Sequence, residues 1–445
     1  MAATRIYRTF GSGNQKKWTF SAWVKRSDLG TTQKIFNCYV DGSNYQYISF
    51  NTSDQIYYYN HFGGSSSGEI LTQRFFRDPN AWYNIVFIYD SGNAASGDRT
   101  QLWINGVRET SYSSPGNEAQ PSLNQDGIIN SANVHDIGSN NPAAQYFGGC
   151  MSHINFIDGA VYDASTFGSF NSTDGIWQLN TAPSVTYGTN GFNLKMEDTT
   201  NLDLDSSPNA HTFTTAGTGL TPTKDNPDNN FQVINPLNKT DMTFYNGDTV
   251  MSNTTSAHRM YKGSLGMTTG KWYWEIKCST VGSSYPNLGI IDSDQYDEDD
   301  YVGSEDYGYA YRSDGQKYND GSGSSYGDTW TSGDIIGVAL DMDNKKLYFA
   351  KNGTWQDSGD PTSGATGTGA AYTVSSIPST YMMASSSISA GSPHPQYAFN
   401  FGNGYFGDTV VTSEGTSSTD DDSIWEYDCP AGFYGLNTKN LGSFS

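Results

Sequence analysis

Hydrophobic and polar positions alternate with a period of two along most of this chain, and that period, not the helical one, organises it. In 271–277, Trp272, Trp274 and Ile276 fall on one side of an extended strand, and Lys271, Tyr273, Glu275 and Lys277 on the other. In 17–25, Trp18, Phe20, Ala22 and Val24 alternate in the same way with Thr19, Ser21 and Trp23. Further strands are predicted at 5–10, 33–40, 45–51, 55–60, 69–75, 82–89, 100–104, 107–111 and 149–157, and again at 287–291, 307–312, 334–341 and 346–351. Turn residues separate them, as in Asp41-Gly42-Ser43-Asn44 and Thr52-Ser53-Asp54. Asn105-Gly106 has the chemistry of a two-residue hairpin, whose central residues both take positive φ. Apolar residues at helical spacing are missing from every long stretch. The pattern predicts an all-β protein of two tandem antiparallel β-sandwiches with an ordered connector.

Four segments follow: a sandwich over 1–168, a connector over 169–240, a second sandwich over 241–408, and a segment over 409–445 that docks on the second sandwich. The connector carries Trp177, Phe192 and Phe231, which a free linker would expose, so it is expected to pack on one or both domains. Charge then narrows the function. A formal net charge of −22 argues against a nucleic-acid partner, because phosphate binding needs clustered Lys and Arg. Nothing approaches 18 consecutive apolar residues, so no membrane insertion is expected. Met1-Ala2-Ala3-Thr4-Arg5 leads straight into a strand, and an export leader is not expected. Cys38, Cys150, Cys278 and Cys429 are too widely spaced for a zinc cluster and are expected as free thiols, with pairing of Cys38 and Cys150 left open. Such cysteine usage with a Tyr-rich surface suits a protein made in a cytosol and later exposed outside a cell.

Particular motifs extend this picture. Trp18-Thr19-Phe20-Ser21-Ala22-Trp23-Val24-Lys25, Trp82-Tyr83-Asn84-Ile85-Val86-Phe87, Leu102-Trp103-Ile104-Asn105-Gly106, Ile137-Gly138 and Phe147-Gly148-Gly149 together resemble a laminin-G/concanavalin-A-like jelly roll. Gly270 to Glu275, the run Gly333-Asp334-Ile335-Ile336-Gly337-Val338-Ala339-Leu340-Asp341 with Leu347-Tyr348-Phe349-Ala350-Lys351-Asn352-Gly353, and Tyr397-Ala398-Phe399-Asn400-Phe401-Gly402 resemble a SPRY domain. With Pro430-Ala431-Gly432-Phe433 and Leu436-Asn437-Thr438-Lys439-Asn440-Leu441, the tandem is similar to structural proteins of marine bacteriophages. The resemblance implies a non-enzymatic virion surface protein: a tail or head fibre, an appendage or a decoration subunit, assembled in the host cytoplasm. It also implies partners: other virion proteins (capsid, tail or adaptor), copies of itself in a homo-oligomer, and a host surface glycan or protein receptor. A bacterial carbohydrate-binding adhesin and a polysaccharide depolymerase are the alternatives.

Candidate sites are sparse. A retaining glycosidase needs two carboxyls about 5 Å apart, and the strands of the first domain carry mostly lone acids; Asp41, Asp54, Asp90 and Asp98 read as turn formers. For sugar stacking, the aromatics expected at loop rims are Tyr57, Tyr58, Tyr59 and His61 before the glycines at 63–68, and Tyr296, Tyr301 and Trp330 in the second sandwich. The stretch 292–306 holds eight acidic residues, whose mutual repulsion calls for solvent, a cation or a basic neighbouring subunit. Calcium, if it binds, would take Asp292, Asp294, Asp297 and Asp299 as oxygen ligands.

Overall fold

The computed structural model describes residues 4–113, 118–140, 144–237, 241–282, 285–376, 380–389, 391–417, 419–420 and 422–443. It is an all-β chain of antiparallel sheets that divides into two compact units, Met1–Pro222 and Thr223–Ser445. The division falls inside the stretch read as a connector, whose larger part is built into the first unit.

Unit one contains β1 (Arg5–Thr9), β2 (Lys17–Arg26), β3 (Gln33–Asp41), β4 (Asn44–Phe50), β5 (Ile56–Phe62), β6 (Ser65–Leu71), β7 (Trp82–Asp90), β8 (Thr100–Ile104), β9 (Val107–Arg108), β10 (Glu118–Ala119), β11 (Val134–Ile137), β12 (Gly149–Asp158), β13 (Gly168–Phe170), β14 (Trp177–Leu179), β15 (Phe192–Leu194) and β16 (Thr214–Ala216). One sheet has the order β10-β6-β5-β4-β3-β11-β1-β16 and the other β15-β12-β2-β7-β8-β9. The apolar residues of β2 enter the core between them as the alternation requires: Trp18 is fully buried and stacks on Phe87 and Tyr89, with ring centroids 5.6 and 5.5 Å away. Strand β6 begins at Ser65, ahead of the expected 69–75, because Gly63 and Gly64 both take positive φ and turn the chain early.

The opposite side of β2 is not solvent. The small hairpin of β13 and β14 lies over it, and Trp177 joins Trp23, Trp82 and Val86 in a separate apolar layer while its Nε1 donates to Asn84 Oδ1 at 3.2 Å. The Asn105-Gly106 turn has φ of 47° and 76°, and a Cβ on Gly106 would meet the Trp177 ring at 2.3 Å. Glycine is therefore required there twice, by conformation and by space.

Unit two contains β17 (Met242–Tyr245), β18 (Val250–Asn253), β19 (Arg259–Met267), β20 (Lys271–Thr280), β21 (Asn287–Asp292), β22 (Gly308–Arg312), β23 (Gln316–Asn319), β24 (Ser322–Ser325), β25 (Ile335–Asp341), β26 (Lys346–Lys351), β27 (Thr354–Trp355), β28 (Tyr372–Thr373), β29 (Tyr381–Ser387) and β30 (Gln396–Asn400). Its sheets run β17-β18-β30-β20-β25-β26-β27 and β19-β29-β21-β22-β23-β24. Trp272, Trp274 and Ile276 of β20 fill the core. The polar side of the same strand is covered as well: Trp425, Cys429 and Phe433 pack with Tyr273, Ala339 and Tyr348, so the C-terminal segment forms a third layer.

Glu275 is fully buried beneath that layer. Its carboxylate accepts the backbone N–H of Glu426 and of Tyr427, each at 2.9 Å, and Asn400 Nδ2 and Tyr273 Oη, each at 3.1 Å. Burial pushes the carboxyl up to about 7, against the four donors that favour its charged form. The four cysteines are free thiols.

Candidate functional site

The sheet of β3 to β6 turns its alternate residues in two directions, and the side facing away from the core is lined with rings. Cross-strand register places Tyr45 opposite His61, Tyr47 opposite Tyr59, and Ser49 opposite Tyr57. Tyr39 lies opposite Tyr45, and Asn37 opposite Tyr47. Directly opposed residues share a face, so Tyr39, Tyr45, Tyr47, Tyr57, Tyr59 and His61 form one continuous ladder. Tyr45 and His61 stack at 4.8 Å with planes 18° apart. Tyr39 and Tyr45 are 5.9 Å apart, Tyr45 and Tyr47 6.1 Å, Tyr47 and Tyr59 6.0 Å, and Tyr57 and Tyr59 5.8 Å. All six are half-buried, lying against one another with part of each ring in solvent.

Polar groups fix the rings at their edges. Tyr57 Oη donates to Glu69 Oε1 at 2.9 Å, and Tyr59 Oη lies 3.3 Å from His61 Nδ1. Burial, then neighbouring Tyr and Glu groups, holds the Tyr47 and Tyr57 phenols above their ordinary range, so both stay neutral donors. Lys34 lies with Nζ 2.9 Å from the Tyr47 ring centroid. Desolvation pushes its ammonium down to about 7, and the attraction of the cation to the ring face opposes that.

Beyond Tyr47 the face turns polar. Asn37 lies opposite Asp136 on β11, which lies opposite Tyr7 on β1. Asp136 Oδ1 takes Arg5 Nη1 at 2.8 Å, and Arg5 rests on the Tyr7 ring at 4.1 Å. Desolvation raises the Asp136 carboxyl to about 6 in spite of Arg5. Asn37 is fully buried, and neither its Oδ1 nor its Nδ2 has a hydrogen-bond partner; Asp136 Oδ2 is likewise unpaired. The two carboxylates on the central rows, Glu69 and Asp136, are four strand spacings apart, or about 19 Å. That is far beyond the span of a glycosidase pair. Flat rings beside polar groups can hold the apolar face of a sugar and its hydroxyls together.

The expected site residues divide sharply on this geometry. Tyr57, Tyr59 and His61 belong to the ladder, on a sheet face and not at a loop rim. Tyr58 points the other way: it is fully buried, stacks on Phe87 at 4.3 Å and accepts Gln46 Nε2 at 2.7 Å, so it is a core residue. Trp330 is also core, packed beside Tyr311 in unit two. Tyr296 is held inward by donating to Met260 O at 2.7 Å, and Tyr301 lies by His258 at 5.2 Å. Tyr39, Tyr45 and Tyr47 were missed, although Tyr45-Gln46-Tyr47 alternates aromatic and polar residues and so puts both rings on one side of the strand.

The acidic residues of 292–306 are spread over local partners. Asp292 caps Asp294 N, Asp297 caps Asp299 N, and Asp299 Oδ1 takes Arg259 Nη1 at 2.6 Å. Arg259, nearly buried, also holds Asp241 at 2.8 Å. These aspartates serve turns and an ion pair instead of converging on one point, and among the described residues no cluster of three or more acidic, His or Cys side chains is placed to hold a metal. Asp54, expected as a turn former, does sit in a turn at φ 64°, but it is buried and pairs with Arg26 and Arg77.

Comparison with known proteins agrees with both sandwiches. Residues 6–165 match the family described as the concanavalin A-like lectin/glucanases superfamily, and residues 271–381 match the SPRY domain. The chain therefore carries a concanavalin A-like domain followed by a SPRY domain. The ATP-dependent RNA helicase DDX1 of Xenopus laevis is 29% identical over 92 residues, which is 21% of this chain; the match spans only 12% of the helicase. Among solved structures, the SPRY domain of human HERC1 is 16% identical with a TM-score of 0.30, covering 37% of this chain and 96% of that one. A human SPRY domain is 18% identical with a TM-score of 0.27, covering 36% and 94%. Both domain types fit a binding or adhesin role.

Proposed function

We propose that this protein is a non-enzymatic attachment protein that binds a host-cell glycan across the open tyrosine face of its first sandwich. The observation that carries the reading is the ladder of six partly exposed rings on adjacent strands, on a face whose opposite side is a packed core. Ring faces of this kind suit the flat C–H surface of sugars. We place it on the surface of a bacteriophage particle, as a fibre, appendage or decoration subunit that contacts other virion proteins and copies of itself. The order of the two domains and the aromatic C-terminal segment support that placement.

A glycan array probed with the full chain tests it. Tyr45→Ala and Tyr59→Ala are each expected to weaken binding roughly 10- to 100-fold, the loss of one stacked ring, while Tyr301→Ala leaves it unchanged. Tyr59→Ala should cost less than about 1 kcal/mol of stability, whereas Tyr58→Ala, in the core, should cost about 3–5 kcal/mol. Bound oligosaccharides should be recovered intact. Wild-type binding by both ladder variants would refute the face as the site, and released shorter sugars would restore a depolymerase.

A further inference from the structure

The aromatic ladder supplies contact area but little discrimination, because every pyranose presents a similar C–H face. We propose that Asn37 and Asp136 are the residues that read the ligand's hydroxyl pattern, so that this face selects a neutral sugar ring presenting adjacent hydroxyls. This rests on the reading that the face binds a glycan.

Three observations lead there. Asn37 and Asp136 are direct cross-strand partners on β3 and β11, bounded on one side by Tyr47 and on the other by Tyr7. Both side chains are fully buried, and three of their four polar atoms have no hydrogen-bond partner. Leaving an amide unsatisfied in a strand is costly, and valine would fit the same position at no such cost. A buried polar group left unpaired calls for an explanation, and on this face a ligand hydroxyl can supply the partner. Asn60 is equally buried and unpaired, but it lies on the core side of the sheet opposite Gln46, whereas Asn37 shares the side of the tyrosine rings through Tyr47.

The chemistry selects the ligand class. An amide offers one acceptor and two donors, and the free Asp136 oxygen offers an acceptor, a set that two neighbouring hydroxyls complement because each can donate and accept. An apolar ligand would leave these atoms unpaired, and an anionic one would meet the Asp136 carboxylate on a chain of net charge −22. Lys34 Nζ lies 2.9 Å from the Tyr47 ring centroid, so a sugar stacking on Tyr47 must displace it.

Asn37→Val and Asp136→Asn in the full chain test the proposal, read as ligand-free thermal midpoint and as the ranking of glycans on the array. Asn37→Val should raise the midpoint by about 2–8 °C and weaken the preferred glycan about 100-fold or more. Weakly bound sugars that differ in one hydroxyl should be barely affected, so the ranking flattens. Asp136→Asn, which keeps the shape, should flatten the same ranking. Tyr59→Ala should lower all glycans alike and keep the ranking. If both polar variants keep the wild-type affinities and ranking while Tyr59→Ala loses binding, the hydroxyl-reading role is overturned and the face remains the site. If all three variants bind as wild type, the face itself is wrong. A lowered midpoint for Asn37→Val would also overturn the proposal, since the amide would then be a structural group.

Discussion

Replacing Glu275 with alanine is expected to destabilise the second sandwich by about 3–5 kcal/mol, the cost of leaving buried polar groups unpaired. Glu275 is the acceptor on which the backbone of Glu426 and Tyr427 and the amide of Asn400 converge. Without it these donors face an apolar layer made by Tyr273, Trp425 and Phe433. Glutamine should lose less, because one amide oxygen still accepts while its NH₂ group opposes the other donors. The carboxyl also predicts a pH dependence. Its proton affinity is raised in the folded state, to about 7, so between its ordinary value near 4.5 and about 7 the folded protein holds a proton that the unfolded chain has lost. Stability should therefore fall as pH rises through that window and be flat above it as far as this group is concerned. Denaturant unfolding at pH 5 and pH 8 checks this, and the Glu275 part of the slope should vanish in Glu275→Gln.

The second large effect belongs to Asp54 in the first sandwich. Asp54 Oδ1 accepts Arg26 Nη2 at 3.1 Å and Gly30 N at 2.7 Å, and Oδ2 accepts Arg77 Nε at 3.1 Å. Arg26 is fully buried, with its guanidinium over the Phe50 ring at 4.1 Å and one donor on Phe76 O at 2.7 Å. Asp54→Ala leaves that charge without its counter-ion, at a cost of about 3–5 kcal/mol. Adding Arg26→Met should recover much of the loss, since a buried pair replaced by apolar groups is often near neutral. Thermal unfolding of the two single variants and the double variant measures the coupling. Equal losses for Asp54→Ala with and without Arg26→Met would show that the pair is not what Asp54 supports.

These two carboxylates also show what a strand pattern can and cannot reveal. Alternation in 17–25 and 271–277 correctly assigns Trp18, Phe20, Trp272 and Trp274 to the cores, because that period is a local property of one strand. The other face of each strand is covered as well, by Trp177 from the stretch expected to pack on a domain and by Trp425 and Phe433 from the segment expected to dock. Those third layers come from residues far along the chain, and no local period announces them. The site shows the same limit. Tyr57-Tyr58-Tyr59 is aromatic throughout, so no polar residue marks which ring faces inward; only the pairing with β4 and β6 separates Tyr58 from its neighbours. Tyr39 and Asn37 reach the ladder through β3, and Asp136 through β11, about a hundred residues on. Likewise, Arg259 pairs with Asp299 of the acidic stretch from a position forty residues earlier in the chain.

The central claim is that the open tyrosine face of the first sandwich is the binding surface. A crystal structure of the full chain with the oligosaccharide that an array selects tests it most directly. The account predicts sugar rings lying on Tyr45 and Tyr59, with hydroxyls turned toward Asn37 and Asp136. A sugar held by loops of the second sandwich, with the tyrosine face bare, would contradict it.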